Sequence, residues 1–259
     1  MEVYWVTGAS SGIGRELSLQ LSERGHYVIM SSRNVEKLDE VARLCKHSER
    51  MRILPMDISN YHSITEKVEE AIAFFGRVDV LVNNAGISQR SLIMETKMKV
   101  YEQLMRVNYL GTVALSKALL PHFIKNKTGQ FVVVSSLMGK FSSPFRSGYC
   151  GAKHALHGFF DALRMEHEKD GIHVTIVCPG FVRTDVAKNA LKGDGSAQHD
   201  DDVATKNGLP VHQFCIKMLE AMAQKRFEVY IAGAEKKGIY VKRFFPRLLH
   251  RLVLKSQVR

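Results

Sequence analysis

Residues 2–25 read EVYWVTGASSGIGRELSLQLSERG. The first part, EVYWV at 2–6, is an apolar run of strand length. The last part, from Gly14 on, carries the apolar spacing of a helix. Between them lies a glycine-rich turn, Thr7-Gly8-Ala9-Ser10-Ser11-Gly12-Ile13-Gly14. Such a turn lets backbone N–H groups approach a pyrophosphate, and the helix N-terminus adds partial positive charge. The spacing is G-x-x-x-G-x-G rather than G-x-G-x-x-G. Alone it fits an ordinary tight turn as well; the strand–turn–helix setting favours a dinucleotide site.

Outward from this unit the chain alternates strand and helix. Strand-like cores are VYWV, YVIM, RILPM, VDVLV, QFVVVS, HVTIVC and EVYIA, with helical stretches between them. Strands apolar on both faces, separated by helices, predict a parallel sheet covered on both sides. Right-handed crossovers then give an α/β fold: a single doubly wound, mostly parallel seven-stranded sheet over residues 1–259. At 259 residues the chain is long enough for one full core, and 45% hydrophobic with 24% charged residues is ordinary for a globular protein. Residues 185–212 break the rhythm with Gly193, Gly195, Gly208, Pro210 and the run Asp200-Asp201-Asp202. A long insertion after the sixth strand falls where ligands bind, so a substrate lid is expected. His199 beside that run is read as part of an acidic loop, not a metal site.

A second constellation is Ser136, Tyr149 and Lys153 within SSLMGKFSSPFRSGYCGAK, residues 135–153. Tyr149 and Lys153 stand four apart, on one face of a helix. A fixed cation near a phenol eases loss of its proton, which suits acid/base work at a carbonyl or alcohol. A Tyr-x-x-x-Lys pair alone also occurs on ordinary helices. The spacing of thirteen to Tyr149 selects Ser136 over Ser135.

Together these motifs resemble the short-chain dehydrogenase/reductase family over nearly the whole chain. The carrying residues are TGASSGIG at 7–14, Asp57, NNAG at 83–86, Asn108 in MRVNYLG, Ser136, Tyr149, Lys153, and Pro179-Gly180 opening PGFVRT. SPFRSGYCGAKHA and PGFVRTDVAKNALKGDG further resemble the dehydrogenase/reductase member 7 branch. The resemblance implies that Tyr149 is the acid/base, and that Lys153 lowers its pKa together with the oxidised nicotinamide. A free phenol titrates near pH 10, so work near neutrality needs a fall of about three pH units. Lys153 would also hold the nicotinamide ribose. Ser136 would hydrogen-bond the substrate oxygen, and Asn108 would position a water linking Lys153 to solvent. Cofactor contacts are expected at Gly8, Ser10, Ser11, Gly12, Ile13, Gly14, Ser32, Arg33, Asn34, Asp57, Ile58, Asn84, Ala85, Gly86, Pro179, Gly180, Val182 and Thr184, beside Tyr149 and Lys153.

The end of the second strand, YVIMSSRN, discriminates between cofactors. An NAD site places an acid there to bind the ribose 2′-hydroxyl. Ser32 and Arg33 stand there instead, and an arginine pairs with a 2′-phosphate, so the expected cofactor is NADP(H). The expected reaction interconverts a carbonyl and an alcohol. Leu137, Met138, Phe141, Phe145, Phe181 and Ser88 near the site suggest a hydrophobic or lipid-like substrate. Two alternatives are a 3-oxoacyl-carrier-protein reductase and a non-catalytic NADP(H)-sensing protein; loss of Tyr, Lys or Ser would mark the latter, and all are present. The long helices at about 97–125 and 148–169 each carry an apolar face, and in this family such helices pair as a homodimer or homotetramer.

Formal net charge is +11, and residues 236–259 hold eight of those charges with no acid. They are Lys236, Lys237, Lys242, Arg243, Arg247, Arg251, Lys255 and Arg259. Tyr240, Phe244, Leu248 and Leu252 repeat every four residues, with Val241, Phe245, Leu249 and Val253 beside them. A basic amphipathic helix bent at Pro246 is expected, which either lies on an anionic membrane surface or packs on the domain or a partner subunit. No nucleic-acid module is seen. No run of eighteen apolar residues exists, and a strand from residue 2 leaves no room for a leader or anchor such as some relatives in that branch carry. Cys45, Cys150, Cys178 and Cys215 lack C-x-x-C spacing, so free thiols and a cytoplasmic chain are expected, with no metal. Cys150, beside Tyr149, would be the reactive one if any is.

Overall fold

The structure is a computed structural model that describes residues 1–200 and 203–256. Seven parallel strands form one sheet in the order β3-β2-β1-β4-β5-β6-β7. They are β1 (Val3–Thr7), β2 (Tyr27–Ser31), β3 (Met51–Ile53), β4 (Val80–Asn83), β5 (Gly129–Val134), β6 (Ile172–Pro179) and β7 (Glu228–Ile231). The helices are α1 (Gly12–Glu23), α2 (Val35–Leu44), α3 (Ile64–Phe75), α4 (Met98–Met105), α5 (Gly111–Asn126), α6 (Ser147–His167), α7 (Val203–Lys206), α8 (Val211–Ala223), α9 (Lys237–Phe244) and α10 (Pro246–Lys255).

Alternation along each strand builds two cores. Trp5, Ile29, Leu81, Phe131, Val133 and Ile176 face α3, α5 and α6, through residues such as Val68, Leu119, Phe123 and Phe160. Val6, Val28, Met30, Val82, Val132 and Val177 face α1, α2 and α8, through Leu17, Leu21, Leu38, Phe214 and Met218. A sheet apolar on both faces is stable only when covered on both, as here. Strand order reverses between β1 and β4, and a crevice opens outside the strand ends at such a switch.

Three expectations change in detail. The helix expected at 97–125 is interrupted: Arg106–Leu110 forms one π-helical turn between α4 and α5, with Asn108 in it and buried. The helical stretch expected between the second and third strands ends early, at Cys45, which terminates α2 in extended backbone. The tail is two helices: Phe245 leaves helical geometry and Pro246 restarts it, since a proline ring cannot sit within a continuous helix. Asp201, Asp202 and Arg259 lie outside the described residues.

Candidate active site

The turn after β1 shows why its residues are glycines. Gly8 takes φ +66°, which a side chain resists. A Cβ on Gly14 would collide with the Gly8 carbonyl oxygen and lie 2.6 Å from Asn84 Nδ2. The Asn84 amide in turn donates to the Thr7 carbonyl at 2.9 Å. Thr7, absent from the expected contacts, holds the turn after β1 to the loop after β4: its hydroxyl accepts from the N–H groups of Asn84 and Ala85 at 3.0 and 3.1 Å. Ser11 caps α1 with no side-chain hydrogen bond, so the first-turn N–H groups face the crevice without an internal partner from that side chain. This is a cradle that fits a diphosphate.

Beside the cradle, Trp5 Nε1 donates to Ser31 Oγ at 2.9 Å and pins the end of β2. Ser32 follows, its hydroxyl bonded to the backbone of Asn34 at 3.2 Å, and Arg33 is exposed at the rim. Asn34 caps α2 by accepting from Lys37 N–H at 2.8 Å. Asp57 Oδ1 accepts from the Ser59 N–H and hydroxyl at 2.9 and 2.7 Å, and the residue lines the cleft. A single cleft of about 1140 Å³ runs from these residues to the far side of β5. Every expected cofactor position lines it except Gly14, which packs beneath the turn.

The deeper half holds the second constellation. Ser136 stands in extended backbone after β5, its hydroxyl accepting from Met138 N–H at 3.1 Å, and it lines the cleft together with Tyr149. Lys153, 5% exposed, donates to the Val134 carbonyl at 2.7 Å, and its Nζ lies 5.8 Å from the Tyr149 ring centroid. Asn108 reaches from the π turn to Ile87, accepting from its N–H at 2.8 Å and donating to its carbonyl at 2.9 Å. A Cβ on Gly86 would lie 2.9 Å from Asn108 Oδ1 and 3.6 Å from Lys153 Nζ, so the loop after β4 passes directly between these groups.

The electrostatics differ from expectation. Burial holds the Tyr149 phenol above its ordinary range, opposed by the Ser136 hydroxyl and by the Arg146 and Arg90 guanidinium groups. Burial also brings the Lys153 ammonium down to about 8, while the Val134 carbonyl accepts from it. Arg90 and Arg146 line the cleft and had no signal in the motif. Burial also pushes the Cys150 thiol up, which disfavours the reactive thiolate, and all four cysteines are buried and free. No group of metal-binding residues occurs among the described residues.

Leu137, Met138, Phe141, Phe181 and Ser88 line the cleft as expected, but Phe145 does not. Phe145 sits at φ +65° and turns its carbonyl to the Ser91 N–H at 3.1 Å. Residues of the insertion, among them Asp185, Val186, Asn189, Leu191 and Thr205, form one wall, tied down by bridges Gln89–Leu191 and Val182–Leu209. The tail contributes to the lining as well. Val241, Leu249 and Val253 turn inward, and Leu249 joins the core that contains Phe141.

The family described as short chain dehydrogenase matches residues 2–195 of this chain. Dehydrogenase/reductase SDR family member 7 of Homo sapiens is 41% identical over 236 residues, 89% of this chain and 70% of that protein. Dehydrogenase/reductase SDR family member 7B of Xenopus laevis is 37% identical over 251 residues, 94% of this chain and 78% of that protein. The solved structure of a short-chain dehydrogenase from Streptomyces avermitilis superposes with a TM-score of 0.82 at 26% identity, covering 98% of this chain and 96% of that one.

Proposed function

Because the chain belongs to the short-chain dehydrogenase/reductase family of oxidoreductases, we propose that it is an NADP(H)-dependent enzyme that interconverts a carbonyl and an alcohol on a hydrophobic substrate. The observation that carries this reading is the convergence of Ser136, Tyr149 and Lys153 on one cleft that also contains a diphosphate cradle. When bound, the reduced nicotinamide supplies a hydride to the carbonyl carbon. Tyr149 donates its phenolic proton to the carbonyl oxygen; its raised pKa keeps that proton in place at neutral pH. Ser136 donates to the same oxygen and stabilises the charge that develops on it. Lys153 holds the nicotinamide ribose and returns a proton toward Tyr149. Asn108 fixes Ile87, and the π turn around it takes main-chain carbonyls out of the regular ladder, where a water linking Lys153 to solvent can be held.

The test is NADPH oxidation over a panel of ketones and aldehydes graded from water-soluble to lipid-like. Turnover with apolar members supports this reading. Intact cofactor binding without turnover of any member would favour an NADP(H)-sensing protein. Turnover confined to carrier-bound 3-oxoacyl groups would favour the acyl-carrier reductase.

The cofactor preference rests on Ser32 and Arg33 at the rim, with no acid at the end of β2. Arg33→Ala is expected to weaken NADPH binding about tenfold, the worth of one charged hydrogen bond, and NADH binding little. Equal losses in a fluorescence titration would reject the contact.

The tail extends the same reading. On α10 the inward residues Leu249 and Val253 leave Arg247, Arg251 and Lys255 on the outer face, with Leu248 and Leu252 exposed on a flank; Tyr240, Phe244 and Phe245 are exposed on and after α9. Leu252 also lines the cleft, so the apolar flank borders its mouth. Among the described residues no helix is long and apolar enough to cross a membrane. We infer that this face rests on an anionic lipid surface on the cytoplasmic side. Replacing Arg243, Arg247, Arg251 and Lys255 together by Gln should weaken binding to anionic vesicles by up to about 10³-fold at low salt, given about 1 kcal/mol for each of the four cations near the surface. Turnover of a water-soluble carbonyl should be unchanged. Indifference of the unmodified protein to such vesicles would return the tail to a purely structural role. Truncation after Gly238 is a poorer test, because it strips Leu249 from the core. The homodimer or homotetramer expected through α4–α5 and α6 belongs to this reading too, and sedimentation equilibrium reads it directly.

A further inference from the structure

The side chain of Gln89 is 0% exposed and sits in the loop after β4, outside every motif named above. Its Oε1 accepts from the backbone N–H of Gly148 at 2.8 Å and of Tyr149 at 3.3 Å. Its Nε2 donates to Ser91 Oγ at 3.1 Å and to Thr96 Oγ1 at 3.2 Å. The first-turn N–H groups of a helix have no intrahelical partner. In α6 the residue at the cap, Arg146, supplies no side-chain cap hydrogen bond. Gln89 takes that place from 59 residues away in the chain.

We propose that Gln89 is a positioning residue for Tyr149: it caps α6 from the loop after β4 and thereby sets where the phenol stands relative to the cofactor. The same loop carries Ala85 and Gly86, on the cradle side, and Ile87, which Asn108 clamps from both backbone groups. Ser91 N–H donates to the Phe145 carbonyl at 3.1 Å, which fastens the loop just after Gln89 to the approach to α6, and the Tyr101 hydroxyl of α4 pairs with Ser147 Oγ at 2.9 Å, which holds the first residue of α6 from a third element. One short segment therefore registers the cofactor platform against the acid/base group. Little room is left for drift: a Cβ on Gly148 would lie 2.8 Å from both Leu104 and Tyr101 carbon atoms.

The inference rests on the proposed role of Tyr149, so the test has an arm independent of turnover. In the unmodified protein the Gly148 and Tyr149 amides should exchange hydrogen slowly, in the manner of bonded groups, although they lie in a first helical turn. Exchange as fast as in an uncapped first turn would overturn the capping claim whatever the activity. Gln89→Met keeps the shape and removes both bonding functions. It should accelerate exchange at those two amides, lower kcat about tenfold to 100-fold, the scale of an ångström-sized misplacement, and leave the dissociation constant for NADPH within about twofold. Gln89→Glu retains the acceptor oxygen and should restore slow exchange and most of kcat. A folded Gln89→Met protein with unchanged kcat would overturn the positioning role. So would loss of kcat that the Glu variant fails to recover while its amides are protected. If Gln89→Met does not fold, the exchange measurement on the unmodified protein and the Glu variant decide the matter alone.

Discussion

Replacing Tyr149 by Phe is expected to lower turnover about 10²–10⁴-fold while leaving NADPH binding unchanged, the loss typical of removing a general acid. The change deletes one oxygen atom and nothing else. The ring remains between Ser136 and Lys153, so the cleft keeps its shape. Because burial raises the phenol pKa, the unmodified site carries its proton across the neutral range. Reduction should therefore fall only on the alkaline side, as pH rises through the pKa of Tyr149 in the loaded enzyme. A pH–rate profile of single-turnover reduction measures this. A Phe variant that keeps substantial turnover would remove Tyr149 from the acid role.

Lys153→Met carries the second large effect, and part of it appears without any substrate. Burial lowers the Lys153 pKa from 10.5 to about 8 in the cofactor-free protein. The sign follows from proton counts. Below about pH 8 the ammonium is charged in both the folded and unfolded states, and its burial cost is fully expressed. Between about 8 and 10.5 the unfolded chain holds the proton and the folded one releases it, so stability rises with pH. Above that window both states are neutral and the cost is gone. Relative to Lys153→Met, the unmodified protein should therefore gain on the order of 3 kcal/mol of stability across the window. The comparison cancels groups that titrate alike in both proteins. Thermal unfolding of both at matched pH values measures it, and a constant difference across the window would refute it. The Met variant should also lose turnover, since neither the ribose nor the Tyr149 proton supply is then served.

Much of this architecture was legible in the sequence, because its determinants are local. The strand–turn–helix at 2–25 states its own geometry: Gly14 is glycine because a side chain would strike the backbone of Gly8. Seven apolar runs separated by helices became seven parallel strands. Tyr149 and Lys153 lie one helical turn apart, so their shared face follows from spacing alone. What stayed hidden depends on tertiary apposition. The Gln89 bonds to Gly148 and Tyr149 span the whole of α4, α5 and β5, and no local pattern announces a cap borrowed from a distant loop. Arg90 and Arg146 stand near Tyr149 for the same reason. The π turn at Arg106–Leu110 keeps a helical apolar spacing, so the sequence reads as one unbroken helix. The tail shows both sides of its pattern. Its two parallel apolar rows were visible, but only folding onto Phe141 separates inward Leu249 from outward Leu248. The expected fall of the Tyr149 pKa counted the attraction of Lys153 and the oxidised nicotinamide together; in the cofactor-free protein the cost of burying the phenol sets the direction.

Isotope transfer tests the central claim most directly. Protein incubated with NADPH carrying deuterium at the transferable position of the nicotinamide, together with an apolar ketone that it reduces, should yield an alcohol bearing deuterium on the carbinol carbon. The yield should collapse in Tyr149→Phe protein that binds NADPH normally. Alcohol without deuterium, or no alcohol from any carbonyl despite normal NADPH binding, would contradict the assignment of this cleft as the site of carbonyl reduction.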